Sequence, residues 1–96
     1  MKPSDALHIN RAAIRSVVEA HHASNVRVFG SALQGDDTDD SDLDLLIDPS
    51  PETTLLDIGA IRYELRTLLG VSVDVLTPMA LPDTFREAVL AEAVPV

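Results

Sequence analysis

The 96-residue sequence contains no cysteine, only three aromatic residues, and seven basic residues against sixteen acidic ones. The absence of cysteine excludes a disulfide framework, a thiolate nucleophile and a cysteine-ligated zinc site. Three aromatic side chains are too few to form a platform on which bases stack. A net charge of −9 gives no electrostatic footprint for a phosphate backbone. We therefore expect no direct binding to nucleic acid.

Long apolar segments are also missing. No run approaches the roughly 20 residues that span a bilayer, and no segment resembling a secretory leader precedes the first helical pattern. Apolar residues nevertheless make up 46% of the sequence, a share typical of a globular domain. We expect one domain covering residues 1–96, located in the cytoplasm and without membrane contact.

The hydrophobic pattern alternates helices with short strands. Ser4 is the expected N-cap of the first helix, and Gly70 the expected end of the second. Three helices are expected over Asp5–Ala23, over residues 53–69 and from Pro82 to just before Pro95, and three strands over Val26–Phe29, Leu43–Ile47 and Val71–Leu76. With a further short turn or helix expected at Gly30-Ser31, this order predicts a small α/β (α+β) domain in which a three-stranded mixed sheet packs with about four helices.

Acidic residues are concentrated in a single window. Seven of the sixteen lie within residues 36–48, and the rest of the chain is close to neutral. Carboxylates held close together repel one another unless a cation neutralises them. The window therefore indicates either a divalent-cation site or a solvated acidic loop, and only the spacing of its residues can distinguish the two.

The spacing favours a site on the second predicted strand. Side chains alternate along a strand, so Asp42 and Asp44 share one face. Two carboxylates held side by side on a strand can bind one or two Mg²⁺ ions. The alternative is an edge strand whose aspartates only face water. Leu46 shares their face, which makes that alternative less favourable.

A third aspartate, Asp74, interrupts the most apolar strand of the chain. Its valine neighbours occupy the opposite face. An unpaired carboxylate in such surroundings is costly, and a nearby metal ion would remove that cost. If the second and third strands are neighbours, Asp74 can join Asp42 and Asp44. The alternative is a partly exposed aspartate at the rim of the sheet.

Gly30 and Ser31 follow the first predicted strand. Glycine allows the backbone to approach a phosphate closely, and backbone N–H groups with a serine hydroxyl suit anionic oxygens. Taken alone, a Gly-Ser pair after a strand is more often a simple turn.

These features together resemble the signature of the nucleotidyltransferase superfamily, the DNA polymerase β-like group. The matching residues are Gly30-Ser31, then Asp42-x-Asp44 after ten residues, and Asp74 on a later strand. The short length and the runs Val28–Ser31, Ser41–Ile47 and Val73–Pro78 are similar to the minimal nucleotidyltransferases. These proteins are antitoxins paired with HEPN-domain ribonuclease toxins in prokaryotes. The resemblance covers residues 26–96.

The resemblance implies an enzyme that transfers AMP from ATP to a hydroxyl of the toxin, on tyrosine, with release of pyrophosphate. Asp42, Asp44 and Asp74 would be the catalytic residues and would bind two Mg²⁺ ions. Gly30 and Ser31 would bind the triphosphate. A partner protein that brings its own surface is also expected, because so short a chain leaves little room for an acceptor domain.

One departure from the family pattern keeps alternatives open. Gln34 stands where family members often carry arginine, and Ala32 where a second arginine is frequent. Loss of these cations would weaken contacts to the triphosphate. A non-catalytic antitoxin that neutralises the toxin by binding therefore remains an alternative, as does a nucleotide- or metal-binding regulatory domain.

Two apolar segments either fill the core or dock a partner. They are the helix face that carries Leu55, Leu56 and Tyr63, and the C-terminal segment Phe85–Val96.

Overall fold

The computed structural model describes all 96 residues, and none of its helices has the length and apolar character needed to cross a membrane. The helices are α1 (Pro3–Ile9), α2 (Arg11–Ala20), α3 (Ser31–Gln34), α4 (Leu55–Leu69) and α5 (Asp83–Glu92), with a 3-10 helix at Pro78–Ala80. The strands are β1 (Ala23–Phe29), β2 (Leu43–Pro49), β3 (Val73–Leu76) and β4 (Val94–Pro95).

The four strands form one mixed sheet in the order β3-β2-β1-β4. β2 pairs with β3 in parallel, whereas β1 pairs antiparallel with both β2 and β4. Parallel neighbours need a long crossover connection, and α4 supplies it between β2 and β3. The arrangement confirms the predicted mixed α/β fold.

The strand count differs from the three that the sequence predicts. The additional strand β4 has only two residues, and it pairs through Val28 with Val94 and through Arg27 with Pro95. The backbone N–H of Val96 also donates to the carbonyl oxygen of Val26. A two-residue strand has no detectable alternation, and proline is tolerated only at a sheet edge. Its existence therefore depends on the neighbouring strand rather than on local sequence.

The single helix predicted over Asp5–Ala23 is wrong, because the structure divides it into α1 and α2 at Asn10. The Asn10 side chain donates to the carbonyl oxygen of Ala6, a local bond that competes with regular helix. Ser4 is not the N-cap either. Lys2 occupies that position without a side-chain cap, and Ser4 lies in the first turn.

The helix predicted over residues 53–69 is present as α4, and its ends have clear causes. Thr54 caps the N-terminus in a reciprocal capping box with Asp57, which satisfies two backbone donors. Gly70 ends the helix in the left-handed conformation, as expected from the sequence. With both ends defined, α4 returns the chain to the side of the sheet from which β3 starts.

The two faces of the sheet bury different amounts of apolar surface. One face packs against α1, α2 and α4 and belongs to a core of sixteen buried residues. The other face meets α5 through a smaller buried cluster of Phe29, Leu46, Leu81 and Val89. The alternation of side chains along β2 and β3 decides which residues lie on which face.

Candidate active site

The turn between β1 and α3 has a backbone conformation that requires glycine. Gly30 has φ 73° and ψ −152°, a region populated essentially by glycine alone. A Cβ atom at this position would also overlap Oδ2 of Asp44 and would lie 3.2 Å from its Cγ. The absent side chain of Gly30 therefore makes the space that the Asp44 carboxylate occupies. Ser31 follows as the first residue of α3, beside this contact.

The parallel pairing of β2 with β3 brings two of the predicted aspartates side by side. Asp44 and Asp74 are direct register partners, so their side chains leave the same face of the sheet from adjacent strands. Both residues are partly buried. Asp42 lies one residue before β2 and is exposed. On the other side of Asp44, the register partner is Phe29, which directly precedes Gly30.

The electrostatics of Asp44 reflect this convergence. Partial burial first, and then the negative charges of Asp74 and Asp42, together raise the pKa of Asp44 from its ordinary value to about 6. None of the ion pairs in the structure involves any of these three carboxylates. The site is thus an uncompensated cluster of negative charge at the end of the Gly30 turn.

The donor chemistry of this cluster suits Mg²⁺, which binds hard carboxylate oxygens. The structure contains no group of three or more His, Asp or Glu side chains placed so that they could together hold a metal ion. Such a group is not required, because Mg²⁺ at nucleotide sites is commonly held by one or two carboxylates together with substrate phosphates and water. The residues therefore fit the ion in type and charge, and substrate phosphates and water would have to supply the remaining ligands.

The cavities of the structure lie away from these aspartates. One of about 350 Å³ is formed on α4 by Gly59, Arg62, Tyr63, Arg66 and Thr67. A second, of about 160 Å³, lies between α2 and the C-terminal residues, and a third, of about 380 Å³, lies between α2 and α4. The acidic site is the better candidate, because the residues that line these cavities include no cluster of carboxylates and no glycine turn.

Comparison with known proteins decides the family. Residues 11–96 match the nucleotidyltransferase domain. The chain belongs to this family. Its relatives include protein adenylyltransferase MntA of Thermococcus cleftensis, 32% identical over 84% of this chain and 90% of the relative. They also include MJ0435 of Methanocaldococcus jannaschii, a candidate protein adenylyltransferase, 34% identical over 79% of this chain and 82% of the relative.

Solved structures give the same assignment of fold. A candidate minimal nucleotidyltransferase superposes with a TM-score of 0.87 at 42% identity, covering 97% of this chain and 95% of the other. A toxin-antitoxin crystallised with AMP-PNP superposes with a TM-score of 0.75 at 17% identity, covering 90% of this chain and 71% of the other. The second likeness shows a shared fold.

The nucleotidyltransferase carries no cation at the two positions where the sequence departs from the family pattern. Ala32 is buried within α3. Gln34 is exposed at the end of the same helix, and its Nε2 donates to Oε2 of Glu92 at 3.2 Å. This bond links α3 to α5. The Gln34 side chain is therefore engaged within the protein.

The structure places the apolar helix face of the nucleotidyltransferase at its surface. Leu55 and Leu56 are 87% and 85% exposed, and Tyr63 is 66% exposed. The alternative that these residues fill the core is therefore wrong. The C-terminal segment is divided, since Val89 is buried whereas Phe85 is exposed.

One acidic residue in the window of residues 36–48 is buried, although its position in the sequence suggests a solvated loop. Asp37 is 5% exposed and accepts hydrogen bonds from the backbone N–H of Ser4 at 2.8 Å and from its hydroxyl at 3.0 Å. The bond from the Ser4 backbone holds the pKa of Asp37 below its ordinary value. No local signal could reveal this contact, because the partner lies 33 residues away.

Proposed function

We propose that this nucleotidyltransferase is an antitoxin that transfers AMP from ATP to a tyrosine hydroxyl of a cognate HEPN-domain ribonuclease toxin, in a Mg²⁺-dependent reaction that releases pyrophosphate. The observation that carries the proposal is the pairing of Asp44 with Asp74 beside the Gly30 turn, with Asp42 close enough to affect the charge of Asp44. The relatives named protein adenylyltransferases support the reaction class. The toxin-antitoxin with the same fold supports the kind of partner.

Each part of the site has a role in this reaction. The backbone of Gly30 and the hydroxyl of Ser31 would bind phosphate oxygens of ATP. Asp42, Asp44 and Asp74 would hold two Mg²⁺ ions, which supply positive charge against the triphosphate and the departing pyrophosphate. A new bond forms between the tyrosine oxygen and the α-phosphorus, and the bond from that phosphorus to pyrophosphate breaks. Asp74, or a metal ion that it binds, would lower the pKa of the tyrosine hydroxyl or accept the proton that it releases.

The remaining assignments follow from the same proposal. Residues 1–96 act as one catalytic domain, and the reaction takes place in the prokaryotic cytoplasm, where ATP is available. The exposed apolar side chains of Leu55, Leu56 and Tyr63 are available for contact with a protein.

The decisive experiment combines coexpression with mass spectrometry. The chain is produced together with the product of the neighbouring toxin gene, and the toxin is examined for the added mass of adenylate. The double variant Asp42→Asn/Asp44→Asn should lose the modification, with a rate reduced by about 100-fold or more, because neutral amides replace two anionic ligands. Persistent labelling of the toxin by this variant would contradict the proposal.

A matched control is available in the same loop. Asp36 and Asp40 are exposed acids that make no side-chain hydrogen bond. The double variant Asp36→Asn/Asp40→Asn removes the same charge and should modify the toxin at the rate of the unaltered chain. Equal losses in the two double variants would assign the effect to net charge rather than to the site.

The second candidate function is a non-catalytic antitoxin that neutralises the toxin by binding. The observation that favours it is Gln34, which bonds to Glu92 where family members often carry an arginine. Neutralisation of the toxin in cells by the Asp42→Asn/Asp44→Asn variant would support binding alone. Loss of neutralisation, with the complex still formed, would support catalysis.

A further inference from the structure

The contact between Asp37 and Ser4 joins the N-terminal helix to the loop that precedes β2. Both oxygens of the Asp37 carboxylate are used, Oδ2 by the backbone N–H of Ser4 and Oδ1 by its hydroxyl. Asp37 is the one charged residue of the chain whose exposure falls below a tenth. A carboxylate with so little contact with water has to be hydrogen-bonded within the protein, and these two bonds meet that need.

The same contact completes the first turn of α1. The backbone N–H groups at the start of a helix have no partner within that helix, and a capping side chain normally satisfies one of them. Lys2 at the N-cap position provides no such bond. Asp37 accepts the Ser4 N–H instead, from a distant part of the chain. The contact therefore satisfies both the buried Asp37 carboxylate of the loop and a backbone N–H group at the start of α1.

The pair of hydrogen bonds between Asp37 and Ser4, referred to below as the clamp, lies at one end of a short segment that leads to Asp42. The turn between Thr38 and Ser41 is closed by two hydrogen bonds, from the Thr38 N–H to the Ser41 hydroxyl at 2.9 Å and from the Ser41 N–H to the Thr38 carbonyl at 3.0 Å. Beyond Asp42, the Leu43 N–H donates to the Ser72 carbonyl at 2.8 Å. These bonds link Asp37 to Asp42 through a short closed turn, so we expect the anchoring of Asp37 to restrict the position of Asp42.

We propose that Asp37 is a positioning residue, whose clamp on Ser4 holds residues 36–42 so that Asp42 stays beside Asp44. Asp42 needs such support because it lies outside the β2 ladder, whereas Asp44 is fixed by strand partners on both sides. The consequence for catalysis rests on the proposed function. The mechanical part of the proposal, the anchoring of the loop, does not depend on it.

The anchoring is tested by hydrogen–deuterium exchange of the full chain. Asp37→Ala should accelerate exchange of the hydrogen-bonded amides within residues 38–42, those of Thr38, Asp40 and Ser41, by about tenfold while the amides of β2 and β3 keep their protection. Ser4→Ala, which removes only the hydroxyl, should give a smaller acceleration of the same amides. Unchanged protection of residues 38–42 in Asp37→Ala would overturn the proposal, and so would an equal loss of protection throughout the sheet.

Two further variants separate the clamp from the charge. Asp37→Asn should restore protection, because its carboxamide oxygen accepts the Ser4 N–H and its amino group can donate to the Ser4 hydroxyl. Asp36→Asn removes an adjacent, exposed charge and should leave the exchange unchanged. A loop as loose in Asp37→Asn as in Asp37→Ala would show that the carboxylate charge, rather than the hydrogen bonds, holds the segment.

The effect on catalysis is measured as a change in the Mg²⁺ concentration that gives half-maximal AMP transfer to the toxin. Asp37→Ala should raise the half-saturating Mg²⁺ concentration by about tenfold or more, with recovery of the rate at saturating Mg²⁺, and Asp37→Asn should reverse most of the shift. An unchanged half-saturating concentration in a variant with a loosened loop would overturn the positioning role. If the unaltered chain transfers no AMP at all, the proposed function fails, and the exchange experiment still decides the anchoring.

Discussion

The two faces of the sheet show how one strand can serve two purposes. On β2, Leu43, Leu45 and Ile47 point into the sixteen-residue core and are completely buried. On the opposite face of the same strand, Asp44 belongs to the acidic site and Leu46 to the four-residue cluster under α5. The face with three helices is uniformly apolar, whereas the face with one helix combines charge with a small core. The alternation of side chains along a strand is sufficient to place the charged and the apolar residues on different faces.

The position of the small cluster explains how charged residues are accommodated on this face. Leu46 and Leu76 follow Asp44 and Asp74 by two positions on the same sides of their strands, and both contribute to the cluster. The apolar surface beneath α5 therefore begins just where the carboxylates end. The aspartates remain at the rim with partial access to water, which limits the cost of their charge. Stability is concentrated on one face, and the candidate chemistry occupies the edge of the other.

The largest change in stability is expected when a buried leucine on either face of the sheet is shortened to alanine. Leu45 and Leu46 are adjacent, equally buried leucines on opposite sides of β2. Leu45→Ala should lower the free energy of unfolding by about 4 kcal/mol and Leu46→Ala by about 2 kcal/mol, because α5 alone can settle into the smaller cavity more easily than three packed helices can. Urea denaturation measures both. Equal losses would show that the faces do not differ in rigidity.

The next largest effect concerns the glycine that adjoins the charged face. Gly30→Ala should cost about 3 kcal/mol of stability, because it combines a backbone conformation reserved for glycine with overlap of Asp44. Gly35→Ala is the matched control, since Gly35 has φ 82° but open space around its Cα. Its cost should be about 1 kcal/mol.

Activity distinguishes these glycine variants more sharply than stability. Gly30→Ala displaces the Asp44 carboxylate and should abolish AMP transfer, whereas Gly35→Ala should retain it. Comparable activity in the two variants would show that the contact between Gly30 and Asp44 has no part in the site.

A smaller effect is the pH dependence of stability that Asp44 gives to the charged face. Because the pKa of Asp44 is raised to about 6, the folded protein binds this proton more tightly than the unfolded chain does. The stabilisation is complete below the ordinary pKa near 3.8 and is lost as the pH rises through about 6. Asp44→Asn should therefore leave Tm nearly unchanged at pH 4 and raise it by about 3 °C at pH 7.5, after allowance for solvent screening.

Magnesium provides the control for this prediction. Saturating Mg²⁺ should reduce the Tm difference at pH 7.5, because the cation relieves the repulsion that the Asp44→Asn substitution removes. A difference that is the same at both pH values would contradict the electrostatic origin of the raised pKa.

The smallest expected effect lies outside both faces. Leu56 is 85% exposed on α4, so Leu56→Ser should change the free energy of unfolding by less than about 0.5 kcal/mol. Thermal unfolding measures the change, and affinity for the coexpressed toxin tests the docking role of the same side chain. A loss near that of Leu46→Ala would show that Leu56 is buried in solution, by self-association or by repacking of α4.

Sequence reasoning recovered the features that depend on local spacing. The predicted proximity of Asp44 and Asp74 is confirmed by their register. The strand face predicted to be shared by Asp42 and Asp44 is not shown, because Asp42 lies one residue before β2. The catalytic and metal-binding roles of these residues remain predictions. The end of α4 at Gly70 agrees with the sequence prediction, because a glycine C-cap depends on local conformation alone. The capping box at Thr54 places the start two residues after the predicted one.

Local spacing is sufficient to predict the alternation of β2, the end of α4 and the concentration of charge before β2, because each depends on residues within a few positions of one another. Folding adds the partnership of β4 with β1, the burial of Asp37 against Ser4 and the exposure of Leu55 and Leu56. These features depend on which distant segments meet. Local pattern carries no information about such contacts, since the energies that select them arise only when the elements pack together.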